Sequence, residues 1–142
     1  MVQRGQPISV WGTAGAGDEV AVAFAGHRAT ARADASGRWT ATLPELDAGG
    51  PYTLDVRTGS GAALTVSDVL VGDVFLCSGQ SNMELSVGQS RNGTFAAARS
   101  ANDRVRLLTI PKAGKPTPAE AFETTPPWQI AGPQTVRAFS AV

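Results

Sequence analysis

The sequence predicts a mixed protein: an antiparallel β-sandwich over residues 1–67, then the incomplete start of a parallel α/β domain over residues 68–142. Three observations predict it. Short runs of alternating apolar residues recur up to residue 67, separated by Gly/Asp/Ser turns at near-regular spacing, as in packed antiparallel sheets. From Asp68 the pattern changes to the nearly continuous apolar run "VLVGDVFLC", the signature of a strand covered on both faces in a parallel sheet. A polar loop, the alanine-rich "TFAAARSAN" and a second β run, "RVRLLTI", follow, and strand–helix–strand is how an α/β layer begins.

In the first half, "PISVWG" leads into "TAGAGDE", and "VAVAF" places Val20, Val22 and Phe24 on one face. "DASG" precedes "RWTATL", whose inward set is Trp39, Ala41 and Leu43. "DAGG" precedes "PYTLDVRT", and "GSG" precedes "AALTVSDV". Trp11, Trp39 and Tyr52 are candidates for the larger core or edge positions. The glycines of "GTAGAGDE" resemble a phosphate loop only superficially, because no helix and no Lys-Ser/Thr pair follow; a hairpin loop is expected there. The second half supplies two strands and one helix, while each βα unit takes about 30 residues, so a fragment of a domain is expected. Its stretch "PKAGKPTPAEAFETTPP" holds five of the nine prolines and reads as loop.

Composition narrows the function classes. Of 142 residues, 42% are hydrophobic and 17% charged, with formal net charge zero, the profile of a globular chain. No basic footprint exists for nucleic acid or an anionic membrane, and no apolar run approaches the roughly 18–20 residues of a span. No signal peptide is legible in "MVQRGQPISVWG". One cysteine, Cys77, excludes an internal disulfide and is expected as a buried small hydrophobe. With one histidine, His27, a protein-built metal site is not expected. No cofactor is expected either.

The candidate catalytic residue is Ser81, in a turn directly after the apolar run. Ser81 and Glu84 also form an S-x-x-E capping pattern, so a plain helix cap is the competing reading. Gly79 permits a sharp turn, and a serine at the C-terminal edge of a sheet stands where open α/β folds bind ligands. Backbone N–H groups at such a turn can stabilise an oxyanion. A serine nucleophile needs a base, and His27 sits in the β-turn context "FAGHRAT", expected as a surface residue. Asp73 is expected at a strand edge and Glu84 as a cap. Asn92-Gly93-Thr94 matches a glycosylation sequon, a weak signal on its own. The residues alone leave the nucleophile and the cap both open.

"DVLVGDVFLCSGQSNMELSV" resembles the nucleophile block of the sialate O-acetylesterase family, carbohydrate esterases of the SGNH-hydrolase type. Gly79-Gln80-Ser81-Asn82-Met83 is shared with acetylxylan-type esterases, and the flanking "VGDVFLCSG" favours the sialate-type group. "PISVWGTAGAGDEVAVAF" and "ADASGRWTATLPELDAGGPYTLDV" resemble that family's N-terminal β-sandwich. "RVRLLTI", Trp128 and "FSAV" match later landmarks, and Phe75 stands where the family commonly has Trp. The resemblance implies that Ser81 attacks the acetyl carbonyl of an O-acetylated carbohydrate, with its own N–H as one oxyanion donor and Gly79 shaping the turn. Gln80 and Asn82 either brace the loop or meet substrate. It also implies that the Asp and His partners lie in a D-x-x-H block outside this chain, which is then the front portion of a longer enzyme whose relatives are often exported. Acetylated xylan is the alternative substrate. The alternative for the sandwich half is a glycan-binding or purely structural accessory module.

Overall fold

The computed structural model describes residues 1–112, 114, 117 and 124–142. The chain forms two compact units, Met1–Phe75 and Leu76–Val142. The division expected between residues 67 and 68 falls inside a strand of the first unit.

The first unit contains β1 (Val2–Gln3), β2 (Ile8–Thr13), β3 (Glu19–Phe24), β4 (His27–Arg32), β5 (Arg38–Leu43), β6 (Gly49–Thr58) and β7 (Ala63–Gly72). Five strands form one sheet in the order β1-β7-β6-β3-β4, while β2 pairs with β5 in a second. All these pairings are antiparallel except β1 with β7, which run parallel through Val2↔Val71 and Gln3↔Gly72. The expectation of a wholly antiparallel unit is corrected by that edge. Two residues of β1 carry too little pattern to announce a strand.

Alternation fixes the inward faces. Val20, Val22 and Phe24 of β3 are buried, as are Trp39, Ala41 and Leu43 of β5. Together with Ile8, Ala33, Val56 and Val71 they form one cluster drawn from both sheets. The Trp39 indole lies over its cross-strand partner Gly12, where a methyl group would stand 2.9 Å from Cζ2. Tyr52 is half-buried and meets Phe24 edge to face, with ring centroids 5.7 Å apart. Trp11 points the other way and is 74% exposed.

Two kinds of connection join these strands. Ala25 and Gly26, both at positive φ (49° and 83°), close the β3–β4 hairpin between Phe24 and His27, the two-residue turn that matches strand twist. By contrast, residues 14–18 connect β2 and β3, which lie in different sheets. The hairpin expected at "GTAGAGDE" is therefore a sheet-to-sheet crossing; Gly/Asp punctuation reports a turn but not which strands it joins. Asp34 organises another crossing, between β4 and β5. Its Oδ1 accepts hydrogen bonds from the Ser36 N–H (2.7 Å), the Ser36 hydroxyl (2.7 Å) and the Arg38 N–H (3.0 Å). These bonds, the Ser36 hydroxyl first, hold its carboxyl below the usual aspartate range.

The second unit contains α1 (Gly93–Ala98), β8 (Asn102–Leu107), β9 (Gln129–Ala131) and α2 (Pro133–Ala138). The helix and strand expected at "TFAAARSAN" and "RVRLLTI" are both present. Gly93 is needed at the start of α1, because a methyl group there would fall 1.6 Å from the Val87 carbonyl oxygen. The parallel start of an α/β layer is not found among the described residues: β8 pairs antiparallel with β9, with Leu107↔Gln129 and Asn102↔Ala131. An apolar run specifies burial and leaves the partner strand open. Much of the proline-rich stretch expected as loop lies outside the described residues. Hydrogen bonds from Val87 N–H to the Phe139 carbonyl (2.9 Å) and from Ala141 N–H to the Leu85 carbonyl (2.8 Å) tie residues 85–87 to the chain after α2.

Leu43, 1% exposed, is expected to cost about 2–5 kcal/mol when replaced by Ala, measured by urea unfolding. Thr42→Ala on the open face of the same strand should stay within about 0.5 kcal/mol. A group whose folded pKa is lowered stabilises above its unfolded value and loses that stabilisation as pH falls through the folded one. Asp34→Asn should therefore lower the thermal midpoint at pH 7. The gap from wild type should close on acidification below about pH 3.9, the ordinary aspartate value.

Candidate active site

The β7 ladder ends at Gly72, whose carbonyl accepts the Arg4 N–H at 3.0 Å. Beyond it, the Gln3 side chain accepts the Val74 N–H at 2.8 Å, and Arg4 Nε donates to Asp73 Oδ1 at 2.8 Å. The Asp73 carboxylate raises the Arg4 pKa. Asp73 thus ends the strand as an ion-pair partner. Residues 73–79 have no regular secondary structure, and Phe75 and Leu76 are each 84% exposed. The doubly covered strand expected over "VLVGDVFLC" is corrected accordingly. Residues 69–72 belong to β7, and 73–77 find no ladder partner among the described residues. Cys77, expected to be buried, is exposed and free for the same reason.

Ser81 opens a 3₁₀ turn, Ser81–Glu84. Gln80 precedes it in extended conformation, and its carbonyl accepts the Met83 N–H at 2.9 Å; Leu85 N–H closes on the Asn82 carbonyl at 3.2 Å. Gly79 lets the chain pass tightly over Met83, whose Cγ would lie 2.7 Å from a methyl group at 79. Ser81 is exposed, and neither its hydroxyl nor its N–H has a partner among the described residues. The side chains of Gln80 and Asn82 are also exposed and form no hydrogen bond there.

Sequence reasoning assigned Glu84 to a cap, and the geometry differs. The cap position is Gln80, no side chain caps this turn, and the Glu84 carboxylate pairs with Lys112. A side-chain cap does form one turn later, where the Ser86 N–H donates to Gln89 Oε1 at 3.1 Å. The S-x-x-Q spacing of residues 86–89 was the legible signal for it. His27 begins β4 in the first unit and is exposed. Asn92 is exposed and left-handed, at φ 60°, just before α1. Among the described residues no three His, Cys, Asp or Glu side chains are grouped so as to hold a metal ion, and no helix is long and apolar enough to cross a membrane.

The fold is one already seen among esterases. It is similar to the crystal structure of a carbohydrate acetylesterase from Xanthomonas citri, with a TM-score of 0.91 and 42% identity, over 99% of this chain and 32% of that one. The chain is thus related to the carbohydrate esterases. More particularly, it is similar to curated proteins named sialate O-acetylesterase. Identity is 34% over 87 residues with that of Mus musculus and 38% over 79 residues with that of Homo sapiens. With that of Rattus norvegicus it is 34% over 122 residues, which is 78% of this chain. The matches span 16%, 15% and 22% of those relatives' lengths, respectively. No family model matches. The resemblance is therefore to sialate O-acetylesterases in sequence and to a carbohydrate acetylesterase in structure.

An exposed Cys77 predicts that one thiol equivalent reacts rapidly with a disulfide reagent in the native chain. Denaturant should not raise the number titrated.

Proposed function

We propose that the chain carries the nucleophile of a carbohydrate O-acetylesterase, of sialate type, and that Ser81 is that nucleophile. The observation that carries this reading is the Ser81 turn, with an exposed hydroxyl and an undonated N–H, in a chain whose relatives are esterases. Ser81 Oγ attacks the acetyl carbonyl, the sugar hydroxyl leaves, and water hydrolyses the acetyl-enzyme. The Ser81 N–H, with no internal acceptor, stabilises the oxyanion. Gly79 keeps the turn tight, and the exposed amides of Gln80 and Asn82 face substrate.

The proton acceptor is the part this reading draws from polypeptide outside the 142 residues. A neutral serine is a weak nucleophile, and losing its base costs several orders of magnitude. His27 is a β-strand residue of the other unit. The relatives' greater length supports an origin elsewhere. The first unit is read as a β-sandwich brace joined after Phe75 to an SGNH-type hydrolase domain. Burial of Trp39 and the packing of Tyr52 favour that brace, while the exposed Trp11 is the aromatic that the alternative, a glycan-binding module, would use.

The 142-residue chain should show negligible turnover of 4-nitrophenyl acetate. In a longer protein containing it, Ser81→Ala should lower kcat on O-acetylated sialic acid by on the order of 10⁴ or more. Turnover by the 142-residue chain that disappears in Ser81→Ala would overturn the externally supplied base. Full activity of the longer Ser81→Ala protein would overturn the nucleophile.

A further inference from the structure

The second unit holds an open surface cavity of about 480 Å³ lined by Ser86, Gly88, Gln89, Gln134, Arg137 and Ala138, of which all but Ser86 and Gly88 are solvent-exposed. Its chemistry is one-sided. Among the described residues no carboxylate lines it and the Arg137 guanidinium has no acceptor. Other described cations of this unit differ: Arg99 stacks over the Phe95 ring at 4.4 Å, Lys112 pairs with Glu84, and Arg106 donates to the Asp103 carbonyl. Neither Arg91 nor Arg104 lines the cavity.

The walls are held in place. Arg137 lies against Gly88, where a methyl group would stand 2.9 Å from Arg137 Cγ and 3.2 Å from its carbonyl oxygen. Glycine thus lets the arginine stem pack on the 86–89 turn. Gln89 Oε1 accepts from both the N–H (3.1 Å) and the hydroxyl (3.0 Å) of Ser86. With its oxygen occupied, Gln89 has its two Nε2 hydrogens left to offer. A guanidinium and an amide donor without a competing acid suit a planar carboxylate, which Arg binds through two parallel hydrogen bonds.

We propose that this cavity binds the carboxylate of an acidic sugar, making Arg137 a specificity residue of the esterase. Ser86 is five residues from Ser81, hence no more than about 18 Å away, within range of a one- or two-ring glycan. The role in specificity rests on the Ser81 reading; the carboxylate site itself is measurable without it. Of the two substrates the Ser81 motif leaves open, a sialate carries the required carboxylate and a neutral acetylated xylan does not.

The test is titration of the 142-residue chain with N-acetylneuraminate, its methyl ester, glucuronate and xylose, followed by NMR of the Gln89 and Arg137 side-chain signals. The acids should shift both signals, and the methyl ester and xylose should bind at least fivefold more weakly. Arg137→Gln should weaken acid binding at least fivefold, with Arg137→Lys in between, and added NaCl should weaken it further. Ser81→Ala should leave acid binding unchanged, so this site can stand or fall apart from the nucleophile. Tighter binding of N-acetylneuraminate than of glucuronate assigns the site to sialic acids, and the reverse order to uronic acids. Equal binding of acid and methyl ester would overturn the site, as would indifference to both Arg137 variants. So would displacement of the sugars by equimolar acetate.

Discussion

The end of the β7 ladder at Gly72 is the constraint on which the rest depends. The strand pairs with β6 from Ala63 to Val71 and gains β1 on its other side only at Val71 and Gly72, and its Leu70 and Val71 are buried. The backbone bonds stop at Gly72, whose carbonyl takes the Arg4 N–H, and two side-chain interactions, one from Gln3 and one from Arg4, finish the edge. An apolar sequence continues past that point without a partner strand. The segment that carries Ser81 therefore begins as exposed chain, and its local turn has to be made from within.

It is made with few parts. A 3₁₀ turn needs only i to i+3 hydrogen bonds, and the Gln80 and Asn82 carbonyls supply the acceptors. Because those bonds use backbone groups alone, the side chains of residues 80–82 are left unengaged. The same economy recurs at residues 86–89, where one glutamine side chain secures the turn and its amide hydrogens stay available. Turns closed locally in this way leave functional groups outward, as binding loops on a rigid scaffold do.

The first unit shows the opposite regime. Its inward faces are dictated by period-two alternation, and the large residues that break symmetry are accommodated one by one. Trp39 finds room over Gly12, and Tyr52 turns its edge to Phe24. Asp34 replaces backbone pairing with three bonds to one oxygen where the chain changes sheets. Stability here comes from shared burial, so single positions such as Leu43 matter far more than any surface ion pair.

By itself the sequence determined whatever depends on neighbours a few residues apart. The inward sets of β3 and β5, the helix at residues 93–98, the turn at Asp34 and the Ser81 motif were all legible, because alternation, propensity and motif spacing are local properties. Tertiary structure decided which strand pairs with which. It added β1 in parallel to β7, made residues 14–18 a crossing between sheets, and paired β8 antiparallel with β9. It also exposed Cys77, turned Glu84 toward Lys112, and brought Gln89 beside Arg137. An apolar run states only that a side chain prefers burial; its partner lies tens of residues away, and packing alone selects it.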